Sequence, residues 1–402
     1  MATGHLPDKV TLFKKEEESG VVYRIPSLLY LKKNQTFLAF AEKRTSARDL
    51  DAKVLVLRRG KLDQGSVKWE DAVPLETARL PGYRTMNPCP VYERERATVY
   101  LFFNCVKERM SEAMQILCGK NASKLCYVVS HDAGASWSAL TDLTSRVIGK
   151  RICKWGTFAV GPGHGIQAHS GRLLVPAYAY IIRRCCWLLP PGFCTAPHSF
   201  CFYSDDGGES WRVGEPITQY QAVECELAEI TCADSYVLYC NARTSGRRRM
   251  EAVSMEPGRF EVAWLAKGLV ETKGGCQGSL ASFCAPKAVA GILPDGLKPR
   301  QPGPWSWTSW LLYTHPTGQP GCLCRKRNRT NLGVYINLNP APLQTQRWHG
   351  PWVIQTGPSG YSDLTYLDGT TFACLYECGA ESYWEQITFC LFTVEDVMRN
   401  IF

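Results

Sequence analysis

The chain has 402 residues, a formal net charge of +9, and no apolar run that approaches the ~18 residues of a membrane-crossing helix. Apolar residues make up 45% and aromatics 11%, which supplies a large packed core and excludes a disordered or low-complexity chain. The positive charge suits an anionic surface or an acidic substrate and equally plain solubility, while the basic run Arg325-Lys-Arg327-Asn-Arg329 is too short to read as a nucleic-acid patch.

Strand-like segments recur from end to end: Val54 to Leu57, Thr98 to Val106, Arg172 to Tyr180, Tyr236 to Cys240, Trp310 to Thr314, Leu332 to Leu338, Phe372 to Glu377 and Gln386 to Phe392. They are short, rich in Val, Tyr, Phe, Leu and Cys, and divided by Gly, Pro, Asp and Ser. After the apolar run Leu125 to Val129 comes Ser130-His-Asp132-Ala-Gly134-Ala-Ser136-Trp137. After Phe200 to Tyr203 comes Ser204-Asp-Asp206-Gly-Gly208-Glu-Ser210-Trp211, and both read Ser-x-Asp-x-Gly-x-Ser-Trp. The expected structure is a hairpin turn in which Asp bonds its own backbone, Gly takes positive φ, and Trp packs back on the strand it left. Ser254-Met-Glu256-Pro-Gly258-Arg-Phe260 reads either as a degraded third copy or as an unrelated turn. Helix periodicity is nearly absent; the exception is the C-terminus, where Thr393 is placed to cap a short helix through Val397 and Ile401. Repeated hairpins without helices predict an all-β, single-domain β-propeller over residues 1–402, with loop insertions near 181–197 and 285–327.

The nineteen cysteines are odd in number and contain no Cys-x-x-Cys, and the N-terminus is not a signal peptide. They read as buried free thiols of a reducing compartment, so the Asn-x-Ser/Thr sequons at Asn34, Asn121 and Asn328 carry little weight. Cys322 and Cys324 lack partners at metal-ligand spacing, and neither a metal nor a cofactor is expected. The apolar, Pro-broken stretch from Ile181 to Cys194 carries Arg183, Arg184, Cys185, Cys186 and Trp187. It reads as a loop packed under the core or as a membrane-touching loop with Arg at headgroups, Trp at the interface and Cys open to acylation.

Three arginines stand at strand ends in separate parts of the chain: Arg24 in Tyr-Arg-Ile-Pro, Arg243 in Asn-Ala-Arg, and Arg329 in Arg-Thr-Asn-Leu-Gly. Singly each reads as a solvated strand end. Converging in one channel, their planar, permanently charged forks would bind a carboxylate.

These phrases, with Phe40-Ala-Glu42-Lys-Arg44, Met86-Asn-Pro-Cys-Pro90, Val223-Glu224-Cys-Glu226, Gly275-Cys-Gln277-Gly-Ser279 and Gly360-Tyr361-Ser-Asp-Leu, resemble the vertebrate exo-α-sialidases over essentially the whole chain. The similarity is greatest to the cytosolic and plasma-membrane-associated members, the ganglioside sialidase above all. The resemblance implies a six-bladed β-propeller with Asp-box turns. It implies that Arg24, Arg243 and Arg329 clamp the sialic acid carboxylate and that Glu377 orients Arg24. Tyr361 would be the nucleophile, Glu224 its base, and Asp49 the acid that then activates water. Arg44, on the same mobile loop as Asp49, would help at the carboxylate or ring. Glu112, Tyr178, Tyr180, Met86 and Gln277 would shape pockets for the N-acetyl and glycerol arms. The residue types suit the chemistry. The anomeric carbon bears a carboxylate, which repels an Asp or Glu nucleophile, whereas a Tyr hydroxyl approaches neutral and passes its proton to a base. Spacing alone does not separate Asp49 from Asp51, or Glu224 from Glu226 and Glu229. The implied activity is retaining hydrolysis of sialylated glycolipids and glycoproteins at the plasma membrane, as a peripheral protein, with the cytosol as the alternative location. The alternatives are a trans-sialidase and a sialic-acid-binding propeller without turnover.

Overall fold

The computed structural model describes residues 6–183, 194–232, 235–255, 258–286, 309–318, 328–340 and 348–402. Their strands form five sheets in which every pairing is antiparallel, an all-β, propeller-like arrangement. The first sheet runs Val22–Leu31, Thr36–Arg44, Ala52–Asp63 and Ser66–Trp69, and the second Tyr83–Glu93, Thr98–Lys107, Ser123–Ser130 and Thr141–Asp142. The third is built on Trp155–Val160, Leu173–Ile182, Thr195–Ser204 and Arg212–Val213, and the fourth on Cys225–Cys232, Ser235–Ala242, Arg248–Ser254 and Val262–Val270.

The remaining seven strands form one sheet, so the described chain shows four blade-like sheets and a wider one rather than six separate blades. The reason is a single continuous strand, Trp348–Asp368. Its first half pairs with Thr330–Asn337 and its second half with Thr371–Cys378, which joins the strands on both sides. At the outer edge, Lys9–Lys14 pairs with Gln386–Thr393 and ties the start of the described chain to its end. Such pairing leaves fewer open edges to aggregate.

Both repeated turns have the expected internal bonds. Asp132 Oδ1 accepts from Ser136 N at 2.9 Å and from Ser130 Oγ at 2.8 Å, and Asp206 repeats both contacts with Ser210 and Ser204. Their tryptophans share clusters with residues of the strand they left, such as Phe202 and Val128, and also reach the preceding sheet. Trp137 meets Phe40 edge-on at 6.0 Å, and Trp211 meets Phe102 at 4.6 Å. The glycines approach the same neighbours: a Cβ on Gly134 would lie 2.8 Å from Leu38, and one on Gly208 2.3 Å from Tyr100. Each turn is therefore a weld between sheets. Glu256, the odd residue of the degraded copy, lies outside the described residues.

The C-terminal helix Val394–Ile401 has a full capping box, with Thr393 and Asp396 bonding reciprocally. A second helix, Glu112–Cys118, has no sequence signal beyond its Ser111 cap, because two turns are too short to display a period. The strand expected at Trp310 to Thr314 is Ser309–Pro316 and interrupts the 285–327 stretch. Residues 287–308 and 319–327, the latter with Cys322 and Cys324, and residues 184–193, with Cys185, Cys186 and Trp187, lie outside the described residues. Thirteen described cysteines are free thiols, ten of them buried; Cys194 departs from expectation and is disulfide-bonded.

Candidate active site

The inner ends of the sheets surround a cavity of about 540 Å³, within the ~300–1,000 Å³ range of small-ligand sites. Arg24, Arg243, Arg329 and Tyr361 all line it, so strand ends hundreds of residues apart in sequence do converge.

Tyr361 stands in the second half of the Trp348–Asp368 strand, 7% exposed. Its hydroxyl donates to Glu224 Oε1 and accepts from Arg243 Nη1 at 3.0 Å, while Arg243 Nη1 also reaches Glu224 Oε2 at 2.8 Å. Burial, and then the Glu224 charge, push the Tyr361 pKa well above 10. The phenol is thus held protonated, with its proton directed at the Glu224 carboxylate. Arg24 and Arg329 flank the same ring, their guanidinium carbons 5.9 and 5.2 Å from its centroid. Tyr383, absent from the sequence reading, is the second aromatic wall for both, at 5.1 and 5.5 Å.

The three arginines are oriented by groups behind them. Arg24 Nε donates to Glu377 Oε1 at 2.6 Å, and Glu377 also accepts from the backbone N–H of Ile25 and, at 3.1 Å, of Tyr361. One buried carboxylate therefore fixes Arg24 and the Tyr361 backbone together. Arg243 and Arg329 are held by the carbonyls of Gly274 and Gly275, with Nη2 distances of 2.7 and 3.0 Å. Both glycines have positive φ, and a Cβ on Gly275 would come within 2.7 Å of Arg243 Cγ. Asn331 also has positive φ, tolerable for Asn, and its Oδ1 accepts from Gly357 N at 2.9 Å.

At the mouth, Asp49 opens a short 3₁₀ turn and its side chain is 68% exposed. Its Oδ1 accepts from Arg44 Nη1 at 2.6 Å. Burial of part of the group opposes ionisation, but Arg44, with Arg24 and Arg84 beyond it, holds the carboxyl below its usual range. Arg44 is not on a mobile loop. It ends the strand Thr36–Arg44, its side chain is fully buried, and Glu42 Oε2 accepts from its Nε at 2.8 Å. Asp51 bonds Ser46 and Arg48 instead and does not line the cavity.

The opposite wall carries Met86, Glu112, Tyr178 and Tyr180. Tyr178 OH donates to Glu112 Oε1 at 3.1 Å, and burial followed by the nearby Glu224 charge raises the Glu112 pKa to about 6. Gln277 does not shape this wall. It is 1% exposed beneath the floor, donating to Glu226 and accepting from Ser362 N. Of the competing acids, Glu226 faces Ser279 in the interior and Glu229 accepts from His169 N, so Glu224 alone meets the tyrosine. Arg84 was also missed. Its guanidinium lines the cavity, with Nη2 donating to Met110 O at 2.7 Å.

Three ligand-type atoms, on His164, Glu226 and Asp363, lie within 4.8 Å of one another beneath the floor, but each carboxylate is already bonded to protein donors.

Residues 35–374 match the family described as BNR repeat-like domain. The chain is 47% identical to mouse Sialidase-3, covering 96% of this chain and 95% of that protein, and 40% identical to human Sialidase-4, covering 100% and 96%. Among solved structures, the Hadza microbial sialidase Hz136 superposes with a TM-score of 0.72 at 20% identity, covering 97% of this chain and 69% of the other.

Proposed function

The chain belongs to the sialidase family, and we propose that it is a retaining exo-α-sialidase working through Tyr361. The observation that carries this reading is the contact of one phenol with both Glu224 and Arg243 beneath a triple-arginine pocket.

Arg24, Arg243 and Arg329 bind the C1 carboxylate of a terminal sialic acid and set its anomeric carbon over the Tyr361 oxygen. Tyr361 attacks as its proton moves to Glu224; the glycosidic C–O bond breaks and the leaving oxygen takes a proton from Asp49. Water then attacks the tyrosyl-linked sugar, Asp49 accepts its proton, and Tyr361 recovers its own from Glu224. Two inversions give retention. The arginines also stabilise the charge that develops in each transition state. Asp49 begins ionised because cations surround it. The incoming carboxylate offsets part of that positive field, which raises Asp49 toward the protonated form its acid role needs. Met86, Glu112, Tyr178 and Tyr180 receive the N-acetyl and glycerol arms.

The preferred substrates are sialylated glycolipids, gangliosides among them, with sialoglycoproteins as a second class. The strand Leu173–Ile182 carries Tyr178 and Tyr180 and is followed in sequence by the stretch with Cys185, Cys186 and Trp187, whose residue types support contact with a membrane surface. Joint replacement of Cys185, Cys186 and Trp187 is expected to lower vesicle partitioning and ganglioside turnover more than turnover of a soluble sialoside; equal losses contradict it.

The test of activity is fluorophore release from an α-sialoside by the purified chain and by Tyr361→Phe, with lactose added in a parallel assay. Hydrolysis by the wild type and none by the variant is expected. Dominant sialyllactose would assign a transferase, and sugar binding with equal silence of both proteins would assign a lectin.

A further inference from the structure

Beneath the cavity floor, where the sheets meet, a chain of side chains has more acceptors than charged carboxylates allow. Ser279 Oγ lies 2.8 Å from Glu226 Oε2 and 2.9 Å from Asp363 Oδ1, and it accepts from Leu364 N at 2.8 Å. A hydroxyl has one proton to give. With both carboxylates ionised, one of these oxygen pairs would hold no proton and two like charges would share a dry site. One carboxyl therefore carries the missing proton.

The remaining contacts say which. Asp363 Oδ1 also faces His164 Nδ1 at 2.7 Å, and its Oδ2 accepts from Leu28 N at 2.7 Å, so Asp363 is the carboxylate in direct contact with the imidazole that can offset a negative charge. His164 Nδ1 stands 3.9 Å from Glu226 Oε2, beyond hydrogen-bond range and farther than from Asp363. Glu226 meets Gln277 Nε2 at 3.1 Å, Leu280 N at 2.7 Å and the bare backbone of Gly163, where a Cβ would come within 1.8 Å of Oε1. Burial pushes the Glu226 pKa well up, while Asp363 outweighs burial and raises that of His164. The thiols of Cys89 and Cys374, which also feel Asp363 and Glu226, are pushed well above their usual value and add no charge.

We propose that Glu226 is a positioning residue kept neutral, with Glu226 Oε2–H donating to Ser279 Oγ and Ser279 Oγ–H donating to Asp363 Oδ1, and that this relay sets the strand carrying Tyr361. The strand is held from outside at successive amides: Tyr361 N by Glu377, Ser362 N by Gln277, Leu364 N by Ser279. Two of those three acceptors are bonded to Glu226. The relay lies below the pocket, so it acts on the nucleophile's placement and not on sugar binding. This role rests on the sialidase reading of Tyr361; the proton count does not.

The test is isotope-edited infrared spectroscopy of the full chain at neutral pH, with kinetics of Ser279→Ala. A protonated-carboxyl band that moves with ¹³C-glutamate, moves again in Ser279→Ala and is missing in Glu226→Gln is expected. No such band, or one that follows ¹³C-aspartate, overturns the neutral Glu226. If Glu226→Gln does not fold, the shift in Ser279→Ala makes the assignment. For the positioning role, Ser279→Ala should lower kcat on the order of 10²-fold with KM nearly unchanged, as expected for a displaced nucleophile. An unchanged kcat, or a loss confined to KM, overturns it. The infrared result stands whether or not the chain hydrolyses sialosides.

Discussion

The Asp-box turns at the rim and the pocket at the inner strand ends both use carboxylates as hydrogen-bond acceptors, but the acceptors are completed differently. Asp132 and Asp206 find their partners within six residues, and those bonds, against some desolvation, lower both pKa values to about 2. Glu224 and Glu377 find theirs 137 and 353 residues away, on Tyr361 and Arg24. A locally completed carboxylate builds the frame and has no capacity left for chemistry. A remotely completed one depends on the frame and stands next to a group that can react.

The sharpest way to break that contrast is to remove one reacting atom. Tyr361→Phe should lower kcat on the order of 10⁴-fold with thermal unfolding unchanged, read by sialoside kinetics and calorimetry. Glu224→Gln should cost about 10²–10⁴-fold, again at constant stability. If either variant lost stability instead of rate, the pocket would be frame as well. Glu377→Ala should do both, raising KM and lowering Tm, because it frees Arg24 and the Tyr361 backbone at once.

The rim predicts the converse. Asp206→Ala and Gly208→Ala should each destabilise by about 1–3 kcal/mol, with kcat and KM nearly unchanged in the folded fraction. Gly208→Ala is expected to exceed Gly134→Ala, because the new Cβ meets the Tyr100 ring in one and only the tip of Leu38 in the other. The two regions also differ in pH response. Lowered carboxyls such as Asp132 and Asp206 stabilise above the unfolded carboxylate pKa, and that contribution fades as pH falls toward about 2. Glu112, raised to about 6, has the opposite sign: its contribution is present at low pH and lost as pH rises through about 6. Glu112→Gln should therefore gain Tm relative to the parent between about pH 4.5 and 6 and hold that difference above it.

The same contrast explains what was legible in the sequence. The Asp boxes and the Thr393 cap are complete within a few residues, so the all-β frame and the C-terminal helix can be read directly. The pocket is not local: Arg24, Arg243 and Arg329 stood out at strand ends, but their roles, with those of Tyr361 and Glu224, were reached by family resemblance. Arg84 and Tyr383 were missed because no local pattern marks a side chain that points into a shared cavity. Gln277 was misplaced because a motif fixes its strand and not whether its side chain reaches the cavity or stops beneath it. The tryptophans' added contacts with the preceding sheet and the seven-stranded sheet were missed for a related reason: both are set by neighbouring sheets.

The central claim is that Tyr361 becomes covalently bonded to the sugar. It is tested most directly by trapping the full chain with 2,3-difluorosialic acid and mapping the adduct by peptide mass spectrometry. The account predicts one adduct, on the phenolic oxygen of the Tyr361 side chain, abolished in Tyr361→Phe. An adduct on Asp49 or Glu224, or full turnover of substrate with no trapped tyrosine, would contradict it.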